Sequence, residues 1–143
     1  MRTLKQMLDA KTRTLAVVAP GDTVLHALTV MAHNDVGALL VLDGEQLVGI
    51  FSERDYARKI ILQGKSSKET LVREIMSDKV AYVTPRATLD ECMALMTEKH
   101  FRHLPVLEDD GSVVGMVSIG DLVKETISNQ QFLIDQLERY ISS

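Results

Sequence analysis

Apolar and polar positions alternate along this chain with two different periods. Val24, Ala27, Leu28 and Met31 recur at i, i+3, i+4 and i+7, the spacing of one helical face, and Leu89, Cys92, Met93 and Met96 repeat that spacing further on. Each set predicts an amphipathic helix with a buried stripe, and Cys92 reads as part of that stripe rather than as a redox group. An oxygen-bearing side chain stands ready to cap each helix: Asp22 or Thr23 before the first, Thr88 before the second. Short runs rich in leucine and β-branched residues surround these helices. Segments 15–18 and 80–83 precede them as strands. Segments 38–42 with 47–51, and 103–107 with 113–117, follow as hairpins, with Asp43-Gly44 and Asp109-Asp110-Gly111 as turn chemistry. A further helix is predicted after Ser52 and another after Ser118. Ser128-Asn129-Gln130-Gln131 resembles a capping box, so a separate C-terminal helix is expected there. Its apolar face, carried by Phe132, Leu133, Leu137, Tyr140 and Ile141, either folds back or makes a dimer contact.

The pattern occurs twice. At an offset of about 65, Pro20 falls on Pro85, Thr23 on Thr88, Met31 on Met96, and Leu39-x-Val41-Leu42 on Leu104-x-Val106-Leu107. One extra residue in the second turn then aligns Val48-Gly49 with Val114-Gly115 and Ser52-x-x-Asp55 with Ser118-x-x-Asp121. The lead-in segments match loosely, Leu4-Lys5-Gln6-Met7-Leu8 with Val72-Arg73-Glu74-Ile75-Met76. Chance similarity between two βα-rich segments would reproduce hydrophobicity, but not Pro, Gly, Ser and Asp in one order. The reading is an α/β (α+β) fold of tandem β-α-β-β-α repeats: repeat one over 1–66, repeat two over 67–128, and a C-terminal helix over 129–143. A three-stranded sheet with two helices covers one face only, so the two repeats are expected to pack on each other with pseudo-twofold symmetry.

Composition narrows the function classes. The 143 residues are 45% hydrophobic and 25% charged, with a formal net charge of −4, which fits a folded globular chain and disfavours a nucleic-acid binder. The start of the chain lacks the apolar core of an export signal, and no apolar run approaches the ~20 residues that span a bilayer. One cysteine excludes an intrachain disulfide and suits a reducing compartment, so a cytoplasmic protein is expected. His26 and His33 are two helical turns apart, and His100 and His103 lack an obvious third ligand, so no metal site is expected. No nucleophile–base set and no glycine-rich phosphate loop of a known enzyme type is visible, so no catalytic residues are assigned.

The candidate chemistry lies in Ser52-Glu53-Arg54-Asp55 and Ser118-Ile119-Gly120-Asp121. A helix start offers unpaired N–H groups and partial positive charge to a phosphate, a Ser hydroxyl adds a hydrogen bond, and an ionised Asp accepts from a cis-diol. The same Ser-x-x-Asp pattern also serves as a helix cap, and the two roles are compatible. Arg54 and Arg102 read either as phosphate-neutralising or as solvated surface groups.

The two β-α-β-β-α copies, with Arg102-His103-Leu104-Pro105-Val106 and a closing Ser-x-x-Asp in each, resemble the CBS pair, or Bateman module, over nearly the whole chain. The resemblance is closest to stand-alone bacterial members. It implies two clefts between the repeats that hold AMP, ADP, ATP, NAD or S-adenosylmethionine as regulatory ligand, with no obligatory cofactor. It further implies a disc-shaped homodimer and regulation of an effector protein in trans. Adenine would lie against strand backbone at Ala16, Gly37 and Ala38 in copy one, and at Ala81, Arg102 and His103 in copy two. Each cleft would be completed by the opposite repeat, Ser118 and Asp121 for the first, Ser52, Arg54 and Asp55 for the second. Leu40 stands where copy two has Pro105, and Gly37-Ala38 where it has Arg102-His103, so the two clefts are not equivalent. The alternative is a protein–protein interaction module whose clefts are vestigial.

Overall fold

A computed structural model describes residues 3–10 and 15–142. The Met1-Arg2 start of the chain, where no export signal was read, lies outside them. In chain order the elements are α1 (Leu4–Ala10), β1 (Val17–Val18), α2 (Val24–Asn34), β2 (Ala38–Asp43), β3 (Gln46–Ser52) and α3 (Glu53–Tyr56), which runs into a π-helical turn (Ala57–Ile61). Then come α4 (Val72–Ile75), α5 (Leu89–Lys99), β4 (His103–Leu107), β5 (Val113–Ser118) and α6 (Ile119–Ser142). The β-α-β-β-α order expected from the repeat is present in the first copy. Thr23 caps α2 by accepting the His26 N–H at 3.1 Å, and Thr88 caps α5 by accepting that of Glu91 at 3.1 Å. Asp22 instead accepts the Ala19 N–H at 2.8 Å and closes the preceding turn.

The first sheet has the order β1-β2-β3, with β1 parallel to β2 and β2 antiparallel to β3. The second sheet keeps only β4 and β5. The strand expected over 80–83 shrinks to one parallel bridge, Val83 with Val106, held by Val83 N–H to the Pro105 carbonyl (3.1 Å) and Leu107 N–H to the Val83 carbonyl (2.9 Å). In a parallel ladder the next donor toward Ala81 would be the backbone nitrogen of residue 105, and proline has no N–H. Leu40, its counterpart, has one, and there the strand forms.

Two apolar cores result. Val18, Val24, Ala27, Met31, Leu39, Val41, Phe51 and Ile60 form the first, and Val72 and Ile75 of α4 complete it. Leu89, Cys92, Met96, Leu104, Val106, Val117 and Leu122 form the second, and Leu4 and Met7 of α1 complete it. The lead-in helices are therefore exchanged: each copy's core is closed by the segment that precedes the other copy. Cys92 is fully buried, and burial, with Glu91 adding to it, pushes its thiol pKa up, as suits a core residue. Gly49 and Gly115 are points of close approach by the exchanged segments. A Cβ on Gly49 would meet Met76 Sδ at 2.6 Å and the Ser77 carbonyl at 2.9 Å, and one on Gly115 would meet Leu8 Cδ2 at 3.0 Å.

The C-terminal expectation is corrected. Ser128 caps nothing, because α6 starts at Ile119 and continues unbroken through it to Ser142. Nothing between 119 and 142 is a helix breaker after Gly120, so the chain has no reason to stop and restart.

Candidate functional site

The exchange of lead-ins carries α4 across the end of the first sheet, and Ser77 pairs with Ile50 through two backbone hydrogen bonds of 3.0 and 2.9 Å. That closure forms a cleft of about 570 Å³ between the copies, within the range of roughly 300–1,000 Å³ typical of small-molecule sites. Copy one contributes Gly37, Ile50, Ser52, Glu53, Arg54 and Asp55; Ser77 of the connecting segment lies at its back; copy two contributes Val80, Ala81 and the run Lys99-His100-Phe101-Arg102-His103.

Ser52 and Asp55 form a closed capping box. The Asp55 Oδ2 accepts from the Ser52 N–H and hydroxyl, both at 3.0 Å, while the Asp55 N–H donates to Ser52 Oγ at 3.2 Å. The other oxygen, Oδ1, faces Lys59 Nζ and the Ser77 hydroxyl, each at 3.4 Å. Lys59 is held in place by its bond to the Ile75 carbonyl at 2.8 Å. Asp55 is thus 8% exposed, fully used on one oxygen and loosely held on the other. The helix start is less open than its sequence implies. Its Glu53 N–H already donates to the Gly37 carbonyl at 3.0 Å, and the Asp55 N–H is taken by Ser52, so two of the groups a phosphate would use are spent. Positive charge comes instead from side chains, with Arg54, Lys99 and Arg102 on the cleft wall against Glu53, and Asp55 paired with Lys59.

The run 99–103 owes its position to the end of α5. His100 adopts a left-handed conformation (φ 59°) that reverses the chain, as Asp35 (φ 53°) does after α2. The Arg102 carbonyl then receives the Ile119 N–H at 2.9 Å, matching the Gly37–Glu53 bond of copy one.

Six of the sequence candidates, Ser52, Arg54, Asp55, Ala81, Arg102 and His103, meet in this one cleft. Gly37, expected in the opposite cleft, lines this one as well; its carbonyl is tied to Glu53, and a Cβ on it would lie 3.6 Å from Glu53 Oε2. The other candidates lie outside the cleft lining. Pro105 is buried inside β4, Ala38 is fully buried in β2 opposite Ser52, and Ala16 packs against the first core. Ser118 and Asp121 form their own reciprocal pair, Ser118 N–H to Asp121 Oδ2 at 2.9 Å and Asp121 N–H to Ser118 Oγ at 3.1 Å. Lys99, Phe101, Ser77 and Val80 were not singled out from sequence, and His100 was weighed only as a metal ligand. Four basic side chains in five residues, 99–103, was the available signal for the first part of that group; Ser77 had none, because only the crossing of α4 brings it in. Among the described residues no group of three or more His, Cys, Asp or Glu could hold a metal ion, and no helix is long and apolar enough to cross a membrane.

Known proteins share this architecture. The family model "CBS domain" matches residues 8–62 and again 72–128. A mitochondrial CBS domain-containing protein of Arabidopsis thaliana, CBSX3, is 46% identical over 125 residues, covering 84% of this chain and 60% of that protein, so the match spans well under two thirds of that relative. The solved structure of a protein with CBS domains from Burkholderia ambifaria is 53% identical, with a TM-score of 0.85, covering 90% of this chain and 96% of the other. CBSX2, solved in complex with AMP, is 28% identical, with a TM-score of 0.68 and coverage of 82% and 90%. Sequence duplication, exchanged lead-ins and a shared cleft are thus found with a twofold family match, and the chain belongs to the CBS-domain family, carrying two CBS domains in tandem.

Proposed function

We propose that the cleft between the two CBS domains is a regulatory site for an adenine nucleotide of the AMP, ADP, ATP or NAD type, and that the chain is a cytoplasmic, homodimeric sensor acting in trans on an effector protein, not an enzyme. The observation that carries this is the convergence of Ser52 and Asp55 from one domain with Ala81, Arg102 and His103 from the other on a single cleft. Asp55 Oδ1 is the acceptor for ribose. Its two present contacts, at 3.4 Å, are long for hydrogen bonds and exchange readily for diol hydroxyls. The adenine edge lies along Val80-Ala81, where Pro105 offers no competing donor to the Ala81 carbonyl. Arg54, Lys99 and Arg102 supply the charge for phosphate. The AMP complex of CBSX2 supports the ligand class. A second, unequal cleft uses Ala16, Ala38, Ser118 and Asp121.

Ligand touching both domains links them, and it acts as a signal by binding one relative arrangement more tightly than another. The competing reading, an interaction module with vestigial clefts, is favoured by the extent to which Asp55 is already engaged in its own helix cap.

Calorimetry with AMP, ATP and NAD separates the two. Loss of charge-assisted ribose bonds of ~1.5–3 kcal/mol each makes Asp55→Ala weaken binding roughly tenfold or more, with circular dichroism verifying the fold. Affinities unchanged in Asp55→Ala, Asp121→Ala and Arg102→Ala would remove the site assignment. No thermal shift of the unaltered protein with any of the three nucleotides at millimolar concentration would favour the interaction module.

A further inference from the structure

α3 passes into its π-helical turn at Ala57, where the Leu62 N–H reaches back five residues to the Ala57 carbonyl at 3.1 Å. Such turns are rare and collect at functional sites. Lys59 sits in this one, four residues after Asp55. Its Nζ lies between two oxygens. It donates to the Ile75 carbonyl at 2.8 Å and stands 3.4 Å from Asp55 Oδ1. A charge-assisted N–H···O bond is roughly 2.7–2.9 Å long, so the ammonium is bonded to Ile75 and only faces Asp55. The Ser77 hydroxyl stands off from Oδ1 by the same 3.4 Å. Coulomb attraction falls only with the first power of distance, whereas a hydrogen bond needs close contact. Asp55 Oδ1 therefore has its charge balanced while its lone pairs remain unspent.

We propose that Lys59 is a positioning residue for the nucleotide cleft, one that keeps Asp55 Oδ1 a charge-balanced and open acceptor for the ribose diol. This rests on the nucleotide reading given above and names the group that makes Asp55 fit for it. Lys59 is not among the residues that line the cleft, so it acts through Asp55 rather than on the ligand. A carboxylate as buried as this one, at 8% exposure, carries a desolvation cost that a nearby cation offsets. A lysine free to move would close on Oδ1 and fill the place of a hydroxyl. The Ile75 carbonyl prevents that. Ile75 ends α4 and is buried in the first core, so the tether is held by packing rather than by a loop. The helix cap itself does not need Lys59, because Oδ2 alone accepts the Ser52 N–H and hydroxyl. Nor does the lysine belong to the repeat: at the offset that aligns Asp55 with Asp121, Lys59 falls on Glu125. What remains for Lys59 is the other oxygen, the one the cap leaves open.

Calorimetry of the full chain with AMP and with 2′,3′-dideoxy-AMP tests this role. The analogue lacks both ribose hydroxyls, so the ratio of the two affinities reports the diol alone. The unaltered chain is expected to bind AMP at least ~10-fold more tightly than the analogue. Lys59→Met and Lys59→Gln remove the charge, and in both the ratio is expected to fall at least ~3-fold, through weaker AMP binding with the analogue little changed. Lys59→Arg keeps a charge and a donor for the Ile75 carbonyl and is expected to hold the ratio. Circular dichroism verifies the fold of each variant. No AMP binding by the unaltered chain overturns the nucleotide reading and this role with it. AMP and analogue bound equally by the unaltered chain overturn Asp55 as ribose acceptor, and Lys59 with it, while the cleft remains a nucleotide site. A ratio that survives loss of the charge, or equal losses for both ligands, overturns the role of Lys59 alone. Unfolding of both charge-free variants makes Lys59 a structural group and overturns the role as well.

Discussion

Gly49→Ala probes the exchange of lead-in segments more directly than any change in the cores. Gly49 is buried in β3, where a Cβ would sit 2.6 Å from Met76 Sδ and 2.9 Å from the Ser77 carbonyl. Both are far inside van der Waals contact. The Met76 thioether is flexible and can swing away, but the Ser77 carbonyl cannot: it receives the Ile50 N–H at 3.0 Å in the same place. Relief requires α4 and Ser77 to lift from β3, which stretches that bond pair and pulls the Ser77 hydroxyl from Asp55. Overpacking of this kind costs ~1–3 kcal/mol, against a gain of ~0.4–1 kcal/mol from stiffening the unfolded chain. The expected net loss is about 1–2 kcal/mol. Gly115→Ala is the internal control. Its new methyl would meet only Leu8 Cδ2, the end of a side chain, at 3.0 Å, so the net change is expected within about 0.5 kcal/mol of zero. Urea unfolding of the two variants under identical conditions measures both. Met76→Ala in the Gly49→Ala background should recover only part of the loss, since the backbone clash stays. Equal effects at the two glycines, or full recovery by Met76→Ala, would refute the crossing of α4 over β3 as described.

Other consequences follow from single groups. Thr88→Ala removes the α5 cap and should cost ~1 kcal/mol in the same unfolding assay. Pro105→Ala restores the missing ladder donor toward Ala81, so the new amide at position 105 should exchange with deuterium at least ~10-fold more slowly than an open loop amide; unprotected exchange would remove proline as the cause of the shortened strand. Asp110 accepts the Ser112 N–H at 2.9 Å and hydroxyl at 2.6 Å, which holds its carboxyl below the usual carboxylate range. A lowered folded-state value stabilises above the unfolded value and is lost as pH falls through the folded one. Ser112→Ala should therefore lower stability at neutral pH and have a smaller effect in acid, read from unfolding curves at both.

The periodic parts of the fold were legible from residue pattern alone, and the reasons are local. Helical stripes at Val24–Met31 and Leu89–Met96, caps at Thr23 and Thr88, and hairpins turned at Gly44 and Gly111 depend on chain neighbours and on the need to bury one face. Duplication was equally visible, since Pro, Gly, Ser and Asp recur in one order. Two local readings failed for physical reasons found elsewhere in the chain. Segment 80–83 has strand composition, but its partner Pro105 lacks the donor the ladder needs, and Ser128 resembles a cap inside a helix already under way.

The candidate site divides along the same line. Its residue types were determined by the sequence: a Ser-x-x-Asp pair, an Arg-His corner and small residues on the facing strands. Their company was decided by the tertiary structure. The cleft draws Ser52 and Asp55 from one domain, Ala81 and residues 99–103 from the other, and Ser77 from the segment between, because α4 closes the first core while α1 closes the second. Whether a free helix N-terminus or a spent one faces the cleft was likewise settled by the Gly37 carbonyl and the Ser52 hydroxyl. Hydrophobic periodicity fixes which face of an element must be buried, and it carries no information about which of two equivalent apolar surfaces will bury it.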